Sequence, residues 1–221
     1  MGALRQVELA VAANDAASPV VLEALLDGRR LWKGRGAPAR PRADAVPTGH
    51  AALDAALPGG GWPQAALSEI LHPADGMGEI RLAWPALARL AQAGQRVVLV
   101  APPHLPCAPA WRSAGVEPAR LQLVQATDPR EALWAAEQCL RSGSCGAVLC
   151  WPHRADDRAL RRLQVAAETG RSLAFAWRPL AAQRNPSPAA LRLAIGPEPN
   201  ALRVLKCRGG AVPARPISLA Q

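Results

Sequence analysis

Four short apolar segments alternate with amphipathic segments over residues 96–177, and this alternation constrains the fold more than any other feature of the chain. Each apolar segment has the length and composition of a buried strand; they lie at residues 96–100, 121–124, 147–150 and 173–177. Apolar residues recur at helical spacing between them, at residues 108–114, 129–141 and 156–169. Strands that alternate with helices in this way are typical of a mostly parallel sheet with helices on both faces. The sequence therefore predicts an α/β fold.

Further elements are predicted on either side of this region. Residues 48–57 resemble a short helix with Thr48 as its N-cap. The glycine run at residues 59–61 predicts a turn, and residues 66–71 are apolar enough for an inner strand. Residues 191–195 and 202–205 alternate enough to form paired antiparallel strands at the sheet edge near the C-terminus.

The chain length of 221 residues suits one main domain with extensions. We predict an N-terminal leader, helix and basic linker over residues 1–45, an α/β domain over residues 46–207, and an extended tail over residues 208–221. Pro19 is well placed in the first turn of the N-terminal helix. Its small apolar face either packs on the main domain or docks on another chain.

The segment from Leu67 to Arg81 predicts a strand, a glycine-containing loop and a helix start. This is the local architecture in which backbone N–H groups and a helix N-terminus hold a phosphate. A phosphate loop also needs a Lys for the phosphates and a Ser or Thr for Mg²⁺, and both are missing here. We expect a structural connection with Glu79 and Arg81 on the surface, and we define the degenerate phosphate loop by His72, Gly76, Gly78 and Glu79.

The formal net charge of +9 comes almost entirely from arginine. It permits a nucleic acid or an acidic protein as a partner, but an arginine-rich and alanine-rich composition also follows from a GC-rich genome. Phosphate contacts could come from arginines at positions 35, 40, 42, 158, 161, 162 and 171, but no interleaved exposed aromatics are expected beside them. We expect any DNA contact to be weak. No segment is long and apolar enough to cross a membrane, and no signal-peptide pattern is present, so the cytoplasm is the expected location.

No catalytic or metal-binding pattern emerges from the reactive residues. The five cysteines form no Cys-x-x-Cys pair, and Cys145, Cys150 and His153 match no zinc spacing, so reduced structural thiols are expected. The four histidines lack the spacing of a metal hydrolase, and Asp156 and Asp157 resemble solvated acids in the first turn of a helix. The sequence predicts no metal, no cofactor and no enzymatic activity.

From residue 46 to residue 215 the order of these pieces resembles the RecA-like recombinase core. The anchors are Thr48-Gly49 with Leu53-Asp54, the run Gly59-Gly60-Gly61-Trp62-Pro63, and Ser68-Glu69-Ile70 before the loop. Within that superfamily the chain is more similar to the ImuA family, the RecA-like accessory proteins of bacterial translesion synthesis. That similarity lies at residues 47–57, 78–82, 100–105, 132–138 and 205–210.

The resemblance also shows where the chain departs from an active RecA. Laid on the RecA pattern, the phosphate-binding Lys falls on Gly78 and the Mg²⁺-binding Thr on Glu79. The catalytic Glu falls on Pro103, and the acidic residue that ends the Walker B strand falls on Trp151. Neither replacement can orient a water or hold a metal, so the resemblance implies that ATP is not hydrolysed.

The ImuA resemblance implies a non-catalytic accessory protein of the SOS mutagenesis complex. Its expected partner is an ImuB-like Y-family polymerase homologue, with an error-prone DNA polymerase III alpha-type subunit reached indirectly and RecA as a further candidate. Because RecA protomers dock an N-terminal helix on a neighbour, the candidate partner-binding residues are Leu22, Leu25, Leu26, Trp32, Lys206, Arg208, Gly209, Gly210 and Arg215. A SulA-like inhibitor of cell division and an ATP-dependent recombinase are the alternatives.

Overall fold

A computed structural model describes residues 45–76, 78–196 and 200–219 of the chain. The predicted N-terminal helix with Leu22, Leu25, Leu26 and Trp32, and the basic linker after it, lie outside these residues. In the described part none of the helices is long and apolar enough to span a bilayer.

Ten strands and five α-helices are present in the described residues. The strands are β1 (Ala45–Val46), β2 (Trp62–Pro63), β3 (Ala66–His72), β4 (Arg96–Val100), β5 (Leu121–Val124), β6 (Cys145–Cys150), β7 (Leu173–Pro179), β8 (Leu191–Ile195), β9 (Ala201–Cys207) and β10 (Ile217–Ser218). The helices are α1 (Ala51–Ala56), α2 (Trp84–Gln92), α3 (Ala108–Ser113), α4 (Pro129–Arg141) and α5 (Asp157–Gly170).

Eight of these strands form one mixed sheet in the order β10-β9-β8-β3-β7-β6-β4-β5. The six strands from β8 to β5 are parallel to one another, whereas β9 is antiparallel to β8 and β10 is antiparallel to β9. The predicted α/β fold with a mostly parallel sheet and antiparallel edge strands near the C-terminus is confirmed. β1 and β2 form a separate antiparallel pair.

Helices cover both faces of the sheet, and two apolar clusters fill the space between the layers. On one face Leu53 of α1, Leu87 of α2 and Trp111 of α3 pack with strand residues that include Ile70 and Phe175. On the other face Ala136 and Leu140 of α4 and Leu160, Leu163 and Ala167 of α5 pack with the alternate strand residues. Period-two alternation in the buried strands supplies both clusters at once, which is why these strands carry apolar residues on both faces.

Helix α1 begins later than the sequence predicts. Its N-cap position is His50 and not Thr48. The Thr48 hydroxyl accepts a hydrogen bond from the His50 N–H at 3.1 Å, while the Thr48 N–H donates to Asp54 Oδ1 at 2.8 Å. The side chain of Thr48 therefore orders the approach to the helix and does not cap it.

The segment after Arg208 contributes an edge strand, which the sequence did not predict. Ile217 and Ser218 pair with Leu202 and Ala201 of β9, and Ile217 is buried. A Cβ at Gly210 would lie 2.1 Å from Pro58 Cγ, so this part of the tail approaches the turn after α1 too closely for any side chain. Part of the tail is thus integral to the domain.

Candidate functional site

The four positions at which the chain departs from an active RecA lie along one edge of the sheet. The degenerate phosphate loop follows β3, Trp151 follows β6, and Pro103 follows β4 by three residues. The strands β3, β7, β6 and β4 are parallel and lie next to one another in this order. Their carboxyl ends therefore meet at the same edge of the sheet. Open α/β sheets bind ligands at this edge. The structure therefore brings the predicted positions together.

Two glycines shape the degenerate phosphate loop. Gly76 and Gly78 have positive φ angles of 80° and 85°, a conformation that glycine adopts at low cost. A Cβ at Gly76 would lie 3.0 Å from Nε2 of His104, so the loop lies directly against the side chain that follows Pro103. A 3₁₀ turn, Glu79–Leu82, comes next, and α2 begins only at Trp84 with Pro85 in its first turn. Pro85 therefore lies where its missing N–H costs the helix no hydrogen bond.

Glu79 is buried, and its prediction as a surface residue is wrong. Its Oε1 lies 3.4 Å from the Gly76 N–H, which donates to it, and its Oε2 has no hydrogen-bond partner in the described part of the chain. The carboxylate folds back on its own loop because the 3₁₀ turn begins at Glu79. Arg81 is exposed as predicted, with its guanidinium carbon 5.9 Å from the Trp84 ring centre.

Asp75 of the loop lies between two imidazoles. Its Oδ1 is 3.4 Å from Nε2 of the buried His72, and its Oδ2 is 3.3 Å from Nε2 of His153. The His72 Nδ1 lies 2.9 Å from the Ala74 carbonyl, which can only accept, so the Nδ1–H donates. Within residues 45–76, 78–196 and 200–219, no group of three or more His, Cys, Asp or Glu side chains is arranged to hold a metal ion.

Trp151 lies where the aligned acid would end the Walker B strand. Its ring stacks on Trp177 of β7, with ring centres 5.6 Å apart and an interplanar angle of 23°. Trp177 in turn lies 5.5 Å from Phe175 on the same strand. The half-buried indole therefore extends the apolar core up to the edge of the sheet.

A buried ionic network connects β3, β7 and β8, and the sequence did not predict it. Glu69 of β3 is fully buried, and its two oxygens accept from Arg178 Nη1 at 2.7 Å and from Arg192 Nε at 2.5 Å. Arg178 also donates to the carbonyls of Pro152 and Ala155, and Arg192 donates to that of Ala182. The one available signal was a carboxylate inside an otherwise apolar strand, because such a charge requires a partner.

The C-terminal candidates for partner binding are half-buried or exposed. Lys206 donates through Nζ to the Ser187 carbonyl at 2.7 Å, and Arg208 lies 3.5 Å from Glu168 Oε1. Burial lowers the pKa of Lys206 from its ordinary value, and the nearby Arg208 and Arg192 guanidinium groups lower it further. Gly209, Gly210 and Arg215 are exposed.

The exposed face of α5 carries three of the predicted phosphate contacts. Arg158, Arg161 and Arg162 are exposed, but Arg161 pairs with Asp157 at 3.3 Å and Arg162 pairs with Glu137 of α4. Arg171 is exposed after the end of α5, and positions 35, 40 and 42 lie outside the described residues. Contrary to expectation, one aromatic is exposed on a neighbouring helix: Trp134 of α4 is 60% accessible.

None of the five cysteines forms a disulfide. Cys145 and Cys150 are buried, as expected for structural thiols, whereas Cys107 is exposed. Burial raises the pKa of Cys150 to about 12, and its Sγ lies 3.4 Å from the Phe175 carbonyl. Burial and then the neighbouring Cys145 raise the pKa of Cys139. Such thiols are unreactive near neutral pH.

In sequence, the chain is similar to RecA. It is 32% identical over 114 residues to RecA of Acidothermus cellulolyticus and 32% identical over 108 residues to RecA of Bacillus licheniformis. These matches cover 52% and 49% of this chain, and they span about a third of the relatives' length, 33% and 31%. The similarity supports a RecA-like superfamily relationship.

Among solved structures, SulA from Pseudomonas aeruginosa matches with a TM-score of 0.44 and 30% sequence identity. That match covers 52% of this chain and 98% of the SulA chain. No family model matches the chain.

Proposed function

We propose that the protein is a RecA-like accessory protein of the ImuA type, which acts in the SOS response to DNA damage without hydrolysing ATP. It works through protein–protein contacts in a translesion synthesis complex. The proposed partner is an ImuB-like Y-family polymerase homologue, which links it to an error-prone DNA polymerase III alpha-type subunit, and RecA is a further candidate partner. The similarity to RecA supports the superfamily, and the residues quoted for the ImuA resemblance support the finer assignment.

The observation that carries the proposal is the arrangement around Glu79. At the position aligned with the Mg²⁺-binding Thr, a buried carboxylate turns back on its own loop, and Asp75 adds a second carboxylate to the same loop. A phosphate placed here would face two acids instead of a lysine, so its binding would be opposed by like-charge repulsion. Trp151 and Pro103 supply no acid for a metal or for the attacking water.

A calorimetric titration with Mg²⁺ and ATP tests the non-catalytic part of the proposal. We expect no saturable binding at concentrations that saturate an active RecA, which serves as the positive control. Micromolar, Mg²⁺-dependent binding would overturn this part and would favour the ATP-dependent recombinase.

Affinity purification from DNA-damaged cells tests the cellular part. We expect the tagged protein to recover a Y-family polymerase homologue, whereas recovery of a cell-division protein in its place would identify a SulA-like inhibitor. The variants compared in this experiment should be point substitutions such as Arg208→Gln and Arg215→Gln. Deletion from Arg208 onward would also remove β10 and the buried Ile217, and would confuse loss of binding with loss of folding.

A further inference from the structure

A groove runs along the outer side of α5, and it combines apolar residues on both walls with more cations than acids. One wall is α5, the other is the segment 186–188, and the end of β9 with Lys206 and Arg208 closes it. We call it the α5 groove. Its volume of about 560 Å³ lies in the range of pockets that hold ligands.

Apolar atoms are available along the α5 groove. Val165 points out of α5 and is 46% accessible, although the residues on either side of it, Gln164 and Ala166, are buried. Pro186 and Pro188 face it from the opposite wall. A valine and two prolines offer a surface on which the aliphatic side chains of a peptide can pack with little loss of conformational freedom.

The charges of the α5 groove do not balance. Arg161 pairs with Asp157 at 3.3 Å and Arg208 pairs with Glu168 at 3.5 Å, so both acids in the lining already face an arginine. Lys206 has no carboxylate within 4 Å among the described residues, and its Nζ donates to the Ser187 carbonyl. The lining therefore carries one positive charge in excess.

The residue behind Lys206 adds to this excess. Lys206 lies directly opposite Arg192 across the β8–β9 pair, and like charges in that position repel. Arg192 shares the single carboxylate of Glu69 with Arg178, so the network behind the groove has two cations for one acid. Burial is the main cause of the lowered pKa of Lys206, and Arg208 and Arg192 lower it further, while Glu69 and Asp157 act in the opposite direction.

We propose that the α5 groove binds an acidic peptide segment of the partner protein, which places a carboxylate on Lys206 and an apolar side chain against Val165. This inference rests on the proposed function, because it states the chemistry of the partner at the surface that contains Lys206 and Arg208. Nucleic acid fits less well, since no aromatic side chain among the described residues lines the groove for base stacking.

The test uses the full-length protein and a fluorescein-labelled decapeptide of alternating Glu and Leu, with binding followed by fluorescence anisotropy. A peptide in which Gln replaces every Glu is the control ligand. We expect the acidic peptide to bind with an affinity that falls as salt is added. The Gln peptide should bind about fivefold more weakly, because it lacks the few partly exposed charge pairs that the acidic peptide makes.

Two kinds of variant locate the binding. Lys206→Gln should lower the affinity for the acidic peptide by about fivefold, as expected for the loss of one partly exposed charge pair. The matched control, Arg203→Gln, removes an exposed charge of the same sign from the same strand and should leave binding unchanged. At the exposed Val165, Val165→Glu should weaken binding most, because it removes the apolar contact and repels the acidic peptide, and Val165→Lys should weaken it less, because its charge attracts the peptide; neither change disturbs the core.

Three results would overturn the inference. Arg203→Gln could weaken binding as much as Lys206→Gln, which would indicate a diffuse charge effect. Val165→Glu could leave binding unchanged. Oligothymidylate could bind more tightly than the peptide with the same sensitivity to Lys206→Gln, which would identify a nucleic-acid groove.

The affinity purification separates this inference from the proposed function. If the Lys206→Gln and Val165→Glu proteins still recover the polymerase homologue at the wild-type level, the α5 groove is not the interface and the proposed function stands. If the wild-type protein recovers no such partner, the proposed function fails whatever the peptide does.

Discussion

Two clusters of charged side chains involve β3, one at the middle of the strand and one just after its end, and they differ in how completely their polar atoms are paired. In the network of Glu69, Arg178 and Arg192, both carboxylate oxygens accept a hydrogen bond and each guanidinium also donates to backbone carbonyls. In the degenerate phosphate loop, Glu79 Oε2 is buried without a hydrogen-bond partner in the described part of the chain, and His72 Nε2 and Asp75 Oδ1 face each other at 3.4 Å with no other partner there.

This difference indicates that the Glu69 network is a structural element, whereas the residues of the degenerate phosphate loop are not selected for stability. A buried charge network that is fully hydrogen-bonded stabilises one arrangement of the strands that carry it. Buried polar atoms without partners are a cost to stability. We therefore expect substitutions in the two clusters to have very different effects.

The largest effect is expected for Glu69→Gln. It leaves Arg178 and Arg192 buried without a counter-charge, which should lower the free energy of unfolding by about 3–5 kcal/mol. Urea denaturation followed by circular dichroism measures this. The matched control is Glu168→Gln, which removes one acid from an exposed pair with Arg208 and should cost at most about 1 kcal/mol. Equal losses for the two variants would contradict a structural role for the network.

A smaller effect is expected for Gly76→Ala in the loop. The positive φ of 80° should cost about 1–2 kcal/mol for alanine, and the new Cβ would also lie 3.0 Å from Nε2 of His104. Gly94→Ala is the matched control, because Gly94 has the same φ of 80° and open space around its Cβ position. The difference between the two free energies of unfolding isolates the contact between the loop and His104. No difference would show that His104 moves aside freely.

A still smaller effect is expected for Glu79→Gln. Its Oε2 has no partner to lose, and its Oε1 accepts only a long hydrogen bond from Gly76. Removal of the buried charge should change the free energy of unfolding by less than about 1 kcal/mol, in the stabilising direction. A loss as large as that of Glu69→Gln would mean that the loop carboxylate is paired after all.

The rigidity of the sheet edge can be checked without altering stability. Cys150 is the last residue of β6, immediately before Trp151, and burial raises its pKa to about 12. At mildly alkaline pH its thiol stays protonated, so iodoacetamide should alkylate the exposed Cys107 in the native protein and Cys150 only after unfolding. Mass spectrometry of tryptic peptides reads this out. Rapid alkylation of Cys150 would show that the sheet opens beside Trp151.

The parallel core could be predicted from the sequence because its strands are apolar on both faces. The bounds of α4, residues 129–141, agree with the prediction, since Asp128 caps the helix through the N–H groups of Arg130 and Glu131. The positions of Gly78, Glu79, Pro103 and Trp151 at one edge also follow from the alternation, because parallel strands direct their carboxyl ends to the same side.

The other features depend on contacts between distant segments. Glu69 meets Arg178 and Arg192 across three neighbouring strands, and no local pattern predicts which arginines will be buried. The burial of Glu79 depends on the 3₁₀ turn, which separates it from the helix that the periodicity predicts. The edge strand β10 has only two residues, too few for any alternation to be visible.

The position of β3 in the sheet has a consequence for synthesis on the ribosome. Its sheet neighbours are β7 and β8, and Glu69 is 109 residues before Arg178 and 123 residues before Arg192. At a translation rate of 5–20 residues per second, roughly 5 to 25 s pass between the synthesis of Glu69 and the synthesis of its two partner arginines. During that interval an apolar strand with two unpaired edges is exposed, and we expect nascent chains of this protein to depend on a chaperone that covers them.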